Sequence, residues 1–155
     1  DFTPASLLEA LSENALQEKL LSKVLLTCCV ATLSKFGKLT LACAGHPTPM
    51  HITKAGIKYL DVGGILPGLV SKTRYQDLDI TIKQGERIAL YTDGLFESAY
   101  DEKSRNKLEE ELCHLLSSTL EESLDVSLAI LMERFDQLTH YEAKDDVTLI
   151  LLEPI

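Results

Sequence analysis

Three features are missing from this 155-residue sequence, and each absence removes a class of function. No basic stripe is present: 15 Lys and Arg stand against 24 Asp and Glu, a formal net charge of −9. Nucleic-acid binding needs cationic side chains to displace the counterions of phosphates, so no nucleic-acid partner is expected. Nor does any apolar run approach the ~20 residues needed to cross a bilayer, and no secretory leader is visible. A protein without a membrane segment, working in the cytoplasm, is the expectation. The third absence is C-x-x-C spacing among Cys28, Cys29, Cys43 and Cys113. That argues against a zinc site or a disulfide framework and for reduced, buried thiols.

What is present suits one soluble globular domain over residues 1–155, with 45% hydrophobic and 25% charged residues. The surplus of carboxylates is compatible with hard cations, although plain solubility explains it equally well. Because the chain opens on Asp1 rather than Met, it is expected to be processed or cut from something longer.

The order of elements reads as α+β. Thr3 is placed to cap a helix with Pro4 at its first position and Phe2 stapling onto Leu7; Leu7, Leu11 and Ala15, flanked by Leu8, Leu16 and Leu20, give it an apolar stripe. Short strands follow over 24–33, 38–44, 49–53, 57–60, 77–82 and 87–91. Lys54-Ala55-Gly56 is expected to turn one hairpin and Gln84-Gly85 another. Leu108, Leu112, Leu115 and Leu116 mark a second helix. A third is expected to start at Thr119 with Glu122 completing a capping box, and a last strand covers 147–152. Helices packed against antiparallel sheets are the architecture this order implies.

Chemistry concentrates in three segments: Ala44-Gly45-His46-Pro47, Tyr91-Thr92-Asp93-Gly94 and Asp145-Asp146-Val147-Thr148. Asp93 ends an apolar strand, and Gly94 after it permits a sharp turn or a close backbone approach. Asp145 and Asp146 precede one. Taken alone, Asp93-Gly94 also reads as an ordinary β-turn and Asp145-Asp146 as a solvated turn. Carboxylates brought to one rim repel unless a proton or cation neutralises them, and an all-oxygen set favours Mg²⁺ or Mn²⁺. His46 is read first as a structural turn histidine between Gly45 and Pro47, with a general acid as the alternative.

The ordered set Ala44-Gly45-His46-Pro47, Gly64 to Gly68, Tyr91-Thr92-Asp93-Gly94 and Asp145-Asp146-Val147-Thr148 resembles the bacterial SpoIIE-type branch of the PPM (protein phosphatase 2C-like) family. The likeness runs from the first helix to the last strand. It implies an α-β-β-α fold, a PPM-phosphatase-like β-sandwich of antiparallel sheets flanked by helices. It also implies hydrolysis of phosphoserine or phosphothreonine with two Mg²⁺ or Mn²⁺ ions. On the same resemblance Asp93 and Asp145 are the metal ligands and catalytic residues, with Gly94 and Asp146 in support. The family's D-x-x-G-H-G-type segment, whose Asp bridges both ions, is expected upstream of Asp1. Residues 1–155 are then the C-terminal two-thirds of the domain, with weak metal binding and little activity of their own. The implied substrate is a phosphorylated anti-sigma-factor antagonist in a partner-switching pathway of bacterial signalling. A catalytically inactive pseudophosphatase acting as a regulatory binding module is the alternative, and an unrelated carboxylate-rich metal-binding domain is a third.

Overall fold

A computed structural model describes residues 2–19, 24–99 and 101–154. The chain divides into two compact units. One comprises Asp1–Thr48, Leu60–Lys83 and Pro154–Ile155, the other Pro49–Tyr59 and Gln84–Glu153.

The first unit holds helix α1 (Pro4–Gln17) and the strands β1 (Cys28–Leu33), β2 (Lys38–Ala44) and β5 (Leu78–Thr81). The strands form an antiparallel sheet in the order β1-β2-β5. Helix α1 begins where Thr3 and Ser6 cap each other: Ser6 N donates to Thr3 Oγ1 at 3.2 Å and Thr3 N to Ser6 Oγ at 2.8 Å. Ala5 N adds a bond to Asp77 Oδ1 at 2.8 Å. The anticipated staple does not form, since Phe2 is 91% exposed. The reciprocal cap already fixes how the chain enters the helix. Ala5 and Leu8 pack with Ala42, Ala44 and Tyr75, and Leu11, Cys28 and Val30 close the edge of this cluster. Small residues in β2 let the helix lie close to the sheet. Leu20 of the expected stripe lies outside the described residues.

The second unit holds β3 (Met50–Thr53), β4 (Gly56–Tyr59), β6 (Arg87–Tyr91) and β7 (Leu149–Leu152), with α2 (Gly94–Glu97), α3 (Glu102–Ser118) and α4 (Leu124–Leu138). Its antiparallel sheet runs β4-β3-β6-β7. Period-two placement puts Met50, Ile52, Ala89, Tyr91 and Leu151 into one core with Leu108, Leu112 and Leu116 of α3 and Leu131 and Phe135 of α4. Tyr91 meets Phe96 edge to face, centroids 5.1 Å apart.

The β3–β4 hairpin forms where Lys54-Ala55-Gly56 predicted it. The second expected hairpin does not: β5 pairs with β2 and β6 with β3 and β7, so Gln84-Gly85 hands the chain from one sheet to the other. The burial patterns explain it. β5 alternates between half-buried and exposed, as an edge strand does, whereas four of the five residues of β6 are buried and it takes a neighbour on each side. The third long helix also starts later than expected. Thr119 closes α3 instead, its N–H and hydroxyl both donating to Leu115 O at 3.0 and 2.8 Å, and Ser123 caps α4 by accepting from Val126 N.

The turn between α3 and α4 has an anchor in Arg87, which is 2% exposed. Its Nε donates to Glu153 Oε2 at 2.9 Å, Nη1 to Thr119 O and Ser127 Oγ at 3.0 and 2.8 Å, and Nη2 to Glu122 O. Replacing Arg87 with Ala strands several buried acceptors, so a loss of about 3 kcal/mol in urea-unfolding free energy is expected. Burial, with smaller contributions from Cys113 and Glu109, raises the Tyr91 hydroxyl to about 12. Its neutral form stabilises the fold fully below the ordinary tyrosine value of about 10, and that contribution is lost as pH rises through 12. Tyr91→Phe is therefore expected to flatten the fall in melting temperature across that alkaline window.

Candidate metal centre

The last hydrogen bonds of the β6–β7 ladder bring the two acidic segments together. Beyond Tyr91, Thr92 N donates to Thr148 O at 3.0 Å. The Thr92 hydroxyl then donates to Asp146 O at 3.0 Å and accepts from Thr148 N at 2.9 Å. One threonine thus continues the pairing by side chain where the backbone ladder stops. Asp93 follows directly, and Asp145 and Asp146 lie on the other side of the clasp, at the same end of the sheet.

Gly94 sets the spacing. A Cβ built on it falls 2.4 Å from Asp146 O and 3.4 Å from Asp145 C, so the Asp146 carbonyl crosses directly over a residue that cannot carry a side chain. Asp93 caps the short helix α2, with its carboxylate accepting from Gly94 N at 3.1 Å. That helix is a local feature the Asp-Gly pattern did not announce. Buried Ser98 donates back to Gly94 O at 2.5 Å. From the other segment, Lys144 Nζ donates to Ala99 O at 3.3 Å. Asp145 Oδ1 accepts from Asp146 N at 2.8 Å, which steadies one carboxylate beside the other. Asp93, Asp145 and Asp146 are all exposed. An open groove of ≈ 580 Å³ runs past Met132, Phe135 and Asp136 to Asp145 and Asp146; Asp93 is not part of its wall.

These donors suit a hard divalent cation. They are carboxylate oxygens on a solvent-facing rim, and the missing side chain at Gly94 lets both segments approach. No three carboxylates among the described residues gather within 4.8 Å there, so a cation at this rim would keep water or other oxygens in its shell.

His46 belongs to the first unit and all four acidic-site residues to the second. Its Nδ1 lies 2.8 Å from the Pro47 carbonyl, which can only accept, so Nδ1 carries the proton. The turn-histidine reading matches this bond. Near it lies a grouping that cysteine spacing did not reveal. Cys29 of β1 is the register partner of Cys43 of β2, and their sulfurs gather with a His46 nitrogen within 4.8 Å of one another. The hydrogen bond from Cys43 lowers the Cys29 thiol below its ordinary range despite partial burial, while that bond and burial hold Cys43 well above it. A strand-pairing register could have signalled the pair; a search for C-x-x-C could not.

The family described as Stage II sporulation protein E (SpoIIE) matches residues 1–154. The chain belongs to the SpoIIE family. Among solved structures this SpoIIE-family chain resembles the RsbU and RsbW domains of Rv1364c from Mycobacterium tuberculosis, with TM-score 0.79, 26% identity, and 97% of this chain and 41% of that one covered. It also resembles the SiaA-PP2C domain of Pseudomonas aeruginosa, with TM-score 0.75, 16% identity and coverage of 97% and 60%. The manganese-presoaked phosphatase domain of SpoIIE from Bacillus subtilis follows, with TM-score 0.60, 13% identity and coverage of 94% and 70%. The expected PP2C-type mixture of helices and antiparallel sheets is borne out, and the chain spans only 41% of the first of these structures and 60% of the second. No curated protein matches it in sequence. Among the described residues no helix is long and apolar enough to cross a membrane.

Gly94→Ala is expected to cost about 2 kcal/mol or more, because backbone atoms of the 145–146 segment must move. Gly63→Ala, where a Cβ meets nothing within 4 Å, should stay within about 0.5 kcal/mol of wild type in the same denaturation experiment.

Proposed function

We propose that residues 1–155 are the C-terminal two-thirds of a metal-dependent phosphoserine/phosphothreonine protein phosphatase domain, with Asp93 and Asp145 as metal ligands. The observation that carries this reading is the Thr92 clasp with the Asp146 carbonyl over Gly94, which sets both acidic segments on one rim. Membership of the SpoIIE family and the likeness to PP2C-type phosphatase domains support it. That a SpoIIE phosphatase domain was presoaked with manganese accords with the oxygen donors here.

Each residue has a distinct part. Asp93 and Asp145 supply negative charge to hold Mg²⁺ or Mn²⁺, two ions in the complete domain. Asp146 orients its neighbour through the backbone N–H that Asp145 accepts, and Gly94 keeps the segments close. When bound, such a pair of cations lowers the pKa of water and neutralises the phosphoryl oxygens for in-line displacement. No cysteine is needed as a nucleophile. The motif resemblance points to a phosphorylated anti-sigma-factor antagonist as substrate, met in the cytoplasm in a bacterial partner-switching pathway.

The test is manganese-dependent hydrolysis of a phosphoserine peptide by the full-length protein and by residues 1–155. The full-length protein is expected to turn over and the 155-residue piece to do so far more slowly. Asp93→Asn and Asp145→Asn should each lower full-length activity by at least the ~10–100-fold seen when merely the outer partners of metal ligands are removed. Activity that survives either substitution, or that persists in excess chelator, would refute the assignment.

A further inference from the structure

We infer that Cys29, Cys43 and His46 form a second, chemically different metal site, one that takes a thiophilic cation such as Zn²⁺. The observation is geometric: one donor atom from each residue lies within 4.8 Å of the other two. In a tetrahedral site with Zn–S near 2.3 Å and Zn–N near 2.0–2.1 Å, neighbouring ligand atoms stand about 3.5–3.8 Å apart. The three donors are therefore no more than about an ångström from closing on an ion. Rotation about side-chain bonds covers that distance without moving the sheet.

Each element holds its ligand for a local reason. Cys29 and Cys43 are opposed in the β1–β2 register, and opposed residues share a face with Cβ atoms about 4.5–5.5 Å apart. Their neighbours Cys28, Ala42 and Ala44 turn to the opposite face and pack against α1. His46 comes two residues after β2 ends, just past Gly45, which adopts φ +66. Gly45 is itself held, by its N–H to Gly64 O at 2.8 Å and by Leu66 lying where a side chain would go. The hydrogen bond from His46 Nδ1 to Pro47 O leaves Nε2 with its lone pair. Metal-ligating histidines are oriented this way in general, with one nitrogen donating to a carbonyl and the other free for the metal.

Thiolate and imidazole together select zinc over magnesium or manganese, whereas the carboxylate rim selects the reverse. The two sites therefore do not compete for the same cation. Three protein ligands leave a fourth position for water or for an incoming group. Cys29 and His46 are half-buried and Cys43 is buried. Binding pins β1, β2 and the turn after β2 to one another.

Zn²⁺ and Co²⁺ titrated into the reduced, metal-stripped chain test the site. The expected result is one ion per chain, with sulfur-to-cobalt charge-transfer and tetrahedral ligand-field bands, and two of the four thiols protected from a disulfide reagent. Cys29→Ser and His46→Gln should each weaken binding at least 100-fold while the far-ultraviolet circular dichroism stays unchanged; Cys113→Ser should bind as wild type does. Binding unaffected by Cys29→Ser and His46→Gln would overturn the assignment. So would a chain that forms a Cys29–Cys43 disulfide in air and takes up no zinc when reduced. Manganese-dependent phosphatase activity plays no part in these readouts, so either reading can fail without the other.

Discussion

The acidic rim depends on a single side chain that behaves like backbone. Where the β6–β7 ladder runs out, the Thr92 hydroxyl supplies both a donor and an acceptor to the opposing segment. Without it the Asp146 carbonyl would lose the hydrogen bond that holds it where it passes over Gly94. A serine could make the same two bonds; an alanine or valine would leave Asp146 O and Thr148 N to find water. The separation of the two acidic segments is thus set by a hydroxyl and by a missing methyl group, not by the carboxylates themselves.

The two units carry different chemistry on sheets of similar construction. The second unit presents exposed oxygen donors beyond the end of a central strand, open to solvent. The first presents sulfur donors from within a strand pair and a nitrogen donor from just after it, in surroundings that are half-buried to buried. Hydration explains the contrast. Hard cations retain water and tolerate a wet rim, while soft ligands gain from surroundings with less water.

Much of this was legible in the sequence wherever the signal was local. Thr3-Pro4 announced the start of α1, Lys54-Ala55-Gly56 its hairpin, and Asp93-Gly94 the end of β6, whereas the last strand begins at Leu149, two residues later than expected after Asp145-Asp146. Non-local pairing was not legible. Gln84-Gly85 looked like any tight turn, because nothing within a few residues says that β5 and β6 belong to different sheets. The Thr119 side chain suits a helix start; in the fold it bonds backwards to Leu115 instead. Cys29 and Cys43 are separated by a hairpin, so only the register reveals that they face each other. Arg87 carried no pattern at all, and its importance comes entirely from what tertiary structure places around it.

That arginine sets a rule for which residues position 87 can accept. Its partners are shared among all three nitrogens of the planar guanidinium: a carboxylate on Nε, a carbonyl and a hydroxyl on Nη1, and a carbonyl on Nη2. A lysine ammonium keeps the charge but offers three donors from a single atom, and cannot span a fork of that width. Conservation of charge and conservation of fit therefore part company here. A homologue with Lys at this position would have to rebuild the junction between its two long helices, and a change that looks mild on a charge map would be felt at the last strand.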